Sequence, residues 1–503
     1  MSARARSIWR TQGAMAALVI VACALIAWLS PGRAHADGPL TAADFALAAP
    51  QGFGDRQNSW AWSMQWWRGH LYVGTNRAYR CAEFVSLHEI APGLFPYPPD
   101  DPDLECAPDP ADLPLQAEIW RWSLANGQWE RVYQAPLTVP LPEQPDKFVA
   151  RDIGYRGMAV FREADGTEAL YVTGVSPQAV AFPGLDDVPP RILRSADGVN
   201  FAPVPQDPGT ALANFPFASF RNPIVYQGRL YVIGGTVQGS GTLLEATRPE
   251  LGNDSFQIVS PPDMMVSAVT SYNGHLYVGV RNLLSGYGVA KTDLSGTPPY
   301  TYTTVIERGG WLDVWRNVEV LSFQEFAGRL YVGGNGLVIG PVGIMGPAEL
   351  VRINPDDSWD VVVGYPRDTP QGWKTPLSGL SAGFGNFLNG HMWQMTVYNG
   401  VLYVGTFDSS TTFKDDPVVG PTVADQMGFD LYATRDGVQF APVTTTGFGD
   451  RFSFGVRTLE ATPCGLFLGT ADPYYGLQIW RAGQCRAYLP MVTSGPPVEA
   501  AAP

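Results

Sequence analysis

The chain has 503 residues, 45% of them hydrophobic and 16% charged, so it is too apolar for a disordered protein and long enough to bury a large core. Lys and Arg number 33 against 47 Asp and Glu, a formal charge of −14. That argues against a nucleic-acid partner, because a binder needs a basic face to displace counterions.

The N-terminus reads as a processing segment. Arg4, Arg6 and Arg10 make a positive start, Ala14 to Leu29 is an apolar run, and Ala34-His35-Ala36 offers a small-x-small cleavage site before Asp37. Residues 1–36 are therefore expected to be a signal peptide. The apolar run is short of the roughly 20 residues that span a bilayer, so no transmembrane anchor is expected after cleavage. Ile20-Val21-Ala22-Cys23 is a poor lipobox, because the run stays apolar beyond Cys23. The chain is expected to be secreted, to the periplasm or beyond. Four cysteines remain after cleavage, and an even count in an exported protein argues for disulfides. The local pairs Cys81–Cys106 and Cys464–Cys485 are preferred among three connectivities.

One motif recurs along the rest of the chain: a turn ending in Gly, then Leu-Tyr-Val-Gly. It reads RGHLYVGT around Tyr72, TEALYVTG around Tyr171, QGRLYVIG around Tyr231 and NGHLYVGV around Tyr277. It continues as AGRLYVGG around Tyr331, NGVLYVGT around Tyr403 and CGLFLGT around Phe467. A short apolar strand precedes each copy, and two strand-like runs follow, such as EIWRW and WERVY between Glu118 and Tyr133. Asn273-Gly274, Asn399-Gly400, Asp197-Gly198 and Asp436-Gly437 suit tight hairpins, which need positive φ. Helix-period segments are nearly absent. Seven units of four short strands predict an all-β, seven-bladed β-propeller of four-stranded antiparallel blades over residues 37–490, an architecture that leaves no long exposed sheet edge. Residues 491–503 are Pro- and Ala-rich and are expected to be a disordered tail. The closing strand is either Asp44 to Ala49 or Cys485 to Leu489; the sequence leaves both open.

The Leu-Tyr-Val-Gly repeats, the Gly-Gly pairs Gly234-Gly235 and Gly333-Gly334, and the turns SADGVNF (Ser195 to Phe201) and TRDGVQF (Thr434 to Phe440) make the chain similar to bacterial secreted β-propellers of the kelch and sialidase-like superfamilies. The resemblance implies the architecture over the whole mature chain. It implies no particular activity, because one fold hosts many functions.

Long connections concentrate on one face: Thr75 to Ala117, Ala135 to Arg151, Gly174 to Pro190, Gly334 to Pro347, Tyr365 to Met392 and Thr406 to Phe429. Long loops on a rigid scaffold carry function. The first of them holds Asp100, Asp101, Asp103 and Glu105, carboxylates of the kind that bind Ca²⁺. They show no ordered ligand spacing, so the loop reads as solvated and no cofactor or metal is assigned.

Counting ten residues back from each repeat aromatic gives the mouth of the central channel: Trp62, Arg221, Ser267, Leu321, Trp393 and Arg457, with Arg156 placed there in the second repeat. Arg offers a rigid donor fork to carboxylate, sulfate or phosphate, and Trp a flat face to a sugar ring. Thr-x-Asp ends two second strands at Asp408 and Asp472. The candidate ligand set is therefore Arg156, Arg221, Arg457, Trp62, Trp393, Asp408 and Asp472; the competing structural role for the arginines is glue between blades. His391 reads as a loop residue beside Trp393. No acid/base pair, hydrolase, zinc or nucleotide-binding signature is found. The expected function is a secreted binding protein whose ligand is an anionic glycan, a peptide or an exported protein. The alternatives are an extracellular hydrolase or lyase on acidic polysaccharide, and a cell-envelope scaffold that binds a protein partner.

Overall fold

The computed structural model describes residues 38–182, 185, 188–235, 241–311, 316–339 and 344–485. The compact body starts at Thr41. The signal-peptide and tail segments lie outside the described residues.

Two-residue turns set the strands. Arg68-Gly69, Gln227-Gly228, Asn273-Gly274, Ala327-Gly328 and Asn399-Gly400 all have φ between 46° and 76°, the mirror-image turn whose twist matches paired strands. At Asp197-Gly198 and Asp436-Gly437 the reason is different: only the glycine has positive φ. The carboxylate of Asp197 accepts the N–H groups of Val199 and Asn200, and that of Asp436 accepts those of Val438 and Gln439.

Among the described residues the strands pair into seven four-stranded antiparallel blades of a β-propeller. Blade 1 is Asn58–Trp67, His70–Arg77, Glu118–Ser123 and Trp129–Gln134. Blades 2 to 6 begin with the innermost strands Gly154–Arg162, Ser219–Tyr226, Val266–Tyr272, Asn317–Phe326 and Asn389–Tyr398. Blade 7 starts at Gly455–Thr462 and runs through Gly465–Ala471 to Ile479–Ala482. Its fourth strand is Phe45–Leu47, with Phe45 opposite Ala482 and Leu47 opposite Trp480. The first of the two candidate closing strands therefore completes the ring; the second, beyond Cys485, lies outside the described residues.

The core lies between blades. Phe161 and Tyr171 of blade 2 pack with Leu230, Val232 and Leu244 of blade 3, and Val289 of blade 4 with Val332 and Trp359 of blade 5. Every repeat tyrosine from Tyr72 to Tyr403 is fully buried. The connections on the long-loop face carry structure of their own. They hold a 12-residue helix, Tyr79–Ile90, where only loop was expected, and two small hairpins, Leu137–Leu141 with Gln144–Ala150 and Val338–Ile339 with Ile344–Met345. The disulfides are Cys81–Cys106 and Cys464–Cys485. No described helix is long and apolar enough to cross a membrane.

A glycine late in the second strand sets the distance between blades. A Cβ on Gly405 would lie 2.4 Å from Cβ of Val456 in blade 7. Gly405→Ala is expected to cost about 1–3 kcal/mol, the usual range for overpacking, read as a lower denaturant midpoint at unchanged slope.

Candidate functional site

Each innermost strand carries an irregularity at its long-loop end. The register breaks around Trp62, Arg156, Ser267, Leu321, Trp393 and Arg457, and in blade 3 at Asn222-Pro223, directly after Arg221. A bulge re-aims a side chain that regular pleating would send between neighbouring blades. Trp62, Arg156, Arg221, Leu321, Trp393 and Arg457 line one axial cavity of about 450 Å³. Ser267 stays outside its lining; its hydroxyl donates to Val320 O at 2.9 Å.

The wall is built by all seven blades. Blades 6, 7 and 1 supply an aromatic side. Trp60 meets Trp62 and Trp393 edge-on at 5.7 and 5.6 Å and lies 4.2 Å from the Tyr79 ring, while Phe407 packs on Phe454. Blades 2 to 5 supply a charged side, with Arg156, Arg221, Arg281, Glu319 and Asn335. Among the described lining residues five arginines face three carboxylates, Glu83, Glu319 and Asp408, inside a chain whose net charge is −14.

The arginines are held in different ways. Arg156 lies 5.1 Å over Trp62 and Arg457 lies 5.0 Å over Trp393, so each guanidinium is oriented by an aromatic face of the preceding blade. Arg221 donates to Ser267 O and stands 3.4 Å from Glu319. Arg457 is 7% exposed and makes no ion pair among the described residues. Burial lowers the pKa of all three; Arg221 adds to the effect at Arg156, and Arg156 and Arg221 add to it at Arg457. Guanidinium charge crowded into a desolvated cavity is what an anion relieves. Three donors here have no hydrogen-bond partner among the described residues: the indole N–H of Trp60, that of Trp62, and Nε–H of Arg457.

The acidic candidates divide. Asp408 lines the cavity, but its carboxylate caps a turn, accepting from Ser410 N at 2.7 Å and Asn386 Nδ2 at 2.7 Å. Asp472 is not among the lining residues; it accepts from Tyr474 N and Tyr475 N and from Gln51 Nε2. Its Thr-x-Asp motif thus marks a turn between blades. The carboxylates of the long loop also have a structural partner: Lys414 Nζ bonds Asp101 and Asp103 at 2.8 Å each, and Asp415 besides, so an ammonium sits where a divalent cation would. Glu105 pairs with Arg56 instead.

His391, expected beside Trp393, does line the cavity, but as a strand residue rather than a loop residue; its Nδ1–H donates to Gly390 O at 3.0 Å, and its ring packs on Phe407. Other lining residues carry no signal singled out above. Glu319 sits two positions before Leu321 on the same strand, where alternation would have found it. Tyr79, Arg80 and Glu83 come from the unpredicted helix.

No family model matches the chain, and no curated protein matches it. Among solved structures, it is similar to a mutant puromycin hydrolase complexed with PGG, with TM-score 0.44 and 11% identity over 89% of this chain. The chain covers 57% of that hydrolase's length. It is also similar to the β-propeller domain of the Trilobed protease from Pyrococcus furiosus, with TM-score 0.39 and 8% identity over 85% of this chain and 97% of that one. A third likeness is to Trypanosoma rangeli sialidase in complex with sialic acid, with TM-score 0.35 and 11% identity over 70% and 52% of the two chains. These likenesses are of fold.

Burial predicts a pH effect. It pushes the Asp408 carboxyl up to about 6 and that of Glu460 to about 7. Burial and a neighbouring carboxylate push Asp430 (beside Asp408) and Asp472 (beside Asp450) to about 7. A carboxyl raised on folding adds stability below its unfolded pKa and loses it as pH rises through the folded value. His391, lowered to about 3 by burial, works in the opposite sense, one group against four. The melting temperature is therefore expected to fall as pH rises from 5.5 to 8. A rise over that interval would mean these carboxyls are not desolvated.

Proposed function

We propose that the protein is an exported binding protein whose axial cavity takes an anionic group, presented by a glycan, a peptide or another exported protein. One observation carries this reading. Arg156, Arg221 and Arg457 reach the same cavity from three blades, and Arg457 is buried there without a carboxylate partner among the described residues. Buried charges are normally paired, so the cavity is poised for an external anion. The two disulfides fit an oxidising compartment, which supports export together with the signal-like N-terminus.

A thermal-shift screen of residues 37–503 against acidic and neutral oligosaccharides tests the reading. Acidic oligosaccharides at a hundredfold excess over Kd are expected to stabilise the fold by about 2.7 kcal/mol, and neutral ones to leave it unchanged. Arg457→Gln is expected to weaken binding at least tenfold, about 1.4 kcal/mol, with its own melting temperature maintained. Equal shifts with neutral and acidic sugars would sink the role of the arginines. New reducing ends in the same wells would turn the function to hydrolysis or lysis. Asp408, which lines the cavity with a raised pKa, would then be the first acid to substitute.

A further inference from the structure

The axial cavity continues away from the long-loop face as a second chamber of about 270 Å³, reached by Met64, Met158 and Phe323 further along the innermost strands. Six residues line both spaces: Trp62, Arg156, Asn222, Leu321, Gln394 and Arg457. The two chambers therefore adjoin at this ring. Arg156, Asn222 and Gln394 keep part of their surface exposed there, so a solute in either chamber reaches them.

The two amides are unengaged. Neither Asn222 nor Gln394 makes a side-chain hydrogen bond among the described residues. Each sits at an irregularity of its strand. Asn222 has φ 48° ahead of Pro223, in the break between Arg221 and Ile224. Asn takes this left-handed conformation more readily than most residues, and Pro has no N–H for the ladder. Gln394 follows directly on the bulge at Trp393.

The charge around the junction is one-sided. Arg156, Arg221 and Arg457 stand against one carboxylate of the first chamber, Glu319, which lies 3.4 Å from Arg221. Three guanidinium charges against one carboxylate leave a surplus of two. Five arginines against three carboxylates give the same surplus over the described lining of that chamber. Glu460 lines the second chamber alone, where its carboxylate accepts from Trp66 N at 3.0 Å. A carboxylate or a sulfate ester brings a single negative charge and leaves half of the surplus unmet. A phosphate monoester brings about two near neutral pH, spread over three acceptor oxygens. A guanidinium fork and amide N–H groups are the donors that such oxygens take. Arg221 and Arg457, which are more deeply buried, act through their field, and a field needs no contact.

We infer that the junction of the two chambers takes a phosphate monoester group, with Arg156, Asn222 and Gln394 touching its oxygens while Arg221, Arg457 and Glu319 set the charge it must carry. This rests on the anion-binding reading above and narrows the anion to a doubly charged one.

Titration calorimetry on the intact protein compares methyl phosphate with methyl sulfate at constant ionic strength and about pH 7.5, where these tetrahedral esters of similar size differ in charge. Methyl phosphate is expected to bind one per chain, at least about tenfold tighter than methyl sulfate. Arg457→Gln, which halves the surplus, is expected to weaken methyl phosphate more than methyl sulfate and so shrink that margin. Gln394→Leu and Asn222→Gly each remove an amide without changing the charge. Each is expected to weaken both esters severalfold with the margin kept. The two amides lie in different blades, and Gly suits the left-handed φ at position 222, so a folding defect in one variant leaves the other to decide. Equal affinity for the two esters, or full binding in the amide variants, would overturn this inference, while Arg457-dependent binding of either ester leaves the anion reading standing. If neither ester binds, this inference falls, and the anion reading then stands or falls with the acidic oligosaccharides.

Discussion

The architecture turns on a contact between a glycine in one blade and the innermost strand of the next. Gly74 faces Tyr155, Gly279 faces Val320, Gly333 faces Met392, Gly405 faces Val456 and Gly469 faces Ala61. In each case the partner is the residue immediately before the bulge. Because no side chain fills the gap, the next strand lies close, and the extra residue has only the axis to turn toward. The same small void that lets the blades pack thus decides that Arg156, Leu321, Trp393, Arg457 and Trp62 end up in the channel. Blades 2 and 3 carry Thr173 and Ile233 at this place; Thr173 Oγ1 donates to Gly157 O within its own blade.

The cavity chemistry follows from that placement. A guanidinium turned to the axis leaves the ladder of backbone groups that would otherwise solvate it. Aromatic faces replace part of what is lost: Trp62 supports Arg156, and Trp393 supports Arg457. Orientation of this kind removes rotamer freedom before a ligand arrives, so less ordering is left for the binding step. The carboxylates elsewhere cap turns, as Asp472 does, or pair between strands of one blade, as Glu118 does with Arg77 and Arg131. Positive charge is concentrated on the axis while negative charge is distributed over the scaffold.

Much of this was legible in the sequence because the hairpins have fixed length. In every blade but the second, a two-residue turn ties the innermost strand to the repeat aromatic after it, so counting ten residues back reached the bulge in blades 1, 4, 5, 6 and 7, and the paired residue beside it in blade 3. The rest depends on contacts between distant segments. Asp101 and Asp103 find their cation in Lys414, which no local pattern couples to them. The helix Tyr79–Ile90 opens from Ala78 at φ 46° with no side-chain cap, and prolines and acids dominate residues 92–114 after it, so neither of its ends carries a helix signal. Thr-x-Asp is the same motif at Asp408 and Asp472, yet only the first lines the cavity, because neighbouring loops, not the motif, decide what is covered.

Closure by Phe45–Leu47 has a consequence for biogenesis. Its partner Ile479–Ala482 is the last described strand to be synthesised, so the opening strand must wait, unpaired, while six blades and most of a seventh are made. Throughout that interval the nascent ring presents two open edges, the outer edge of the growing blade and the flank of blade 1, and either can pair with a foreign strand. A ribosome that stalls near the 3′ end of the message would therefore release a chain nearly complete in sequence and still open as a ring, a state in which quality control has an unpaired edge to recognise.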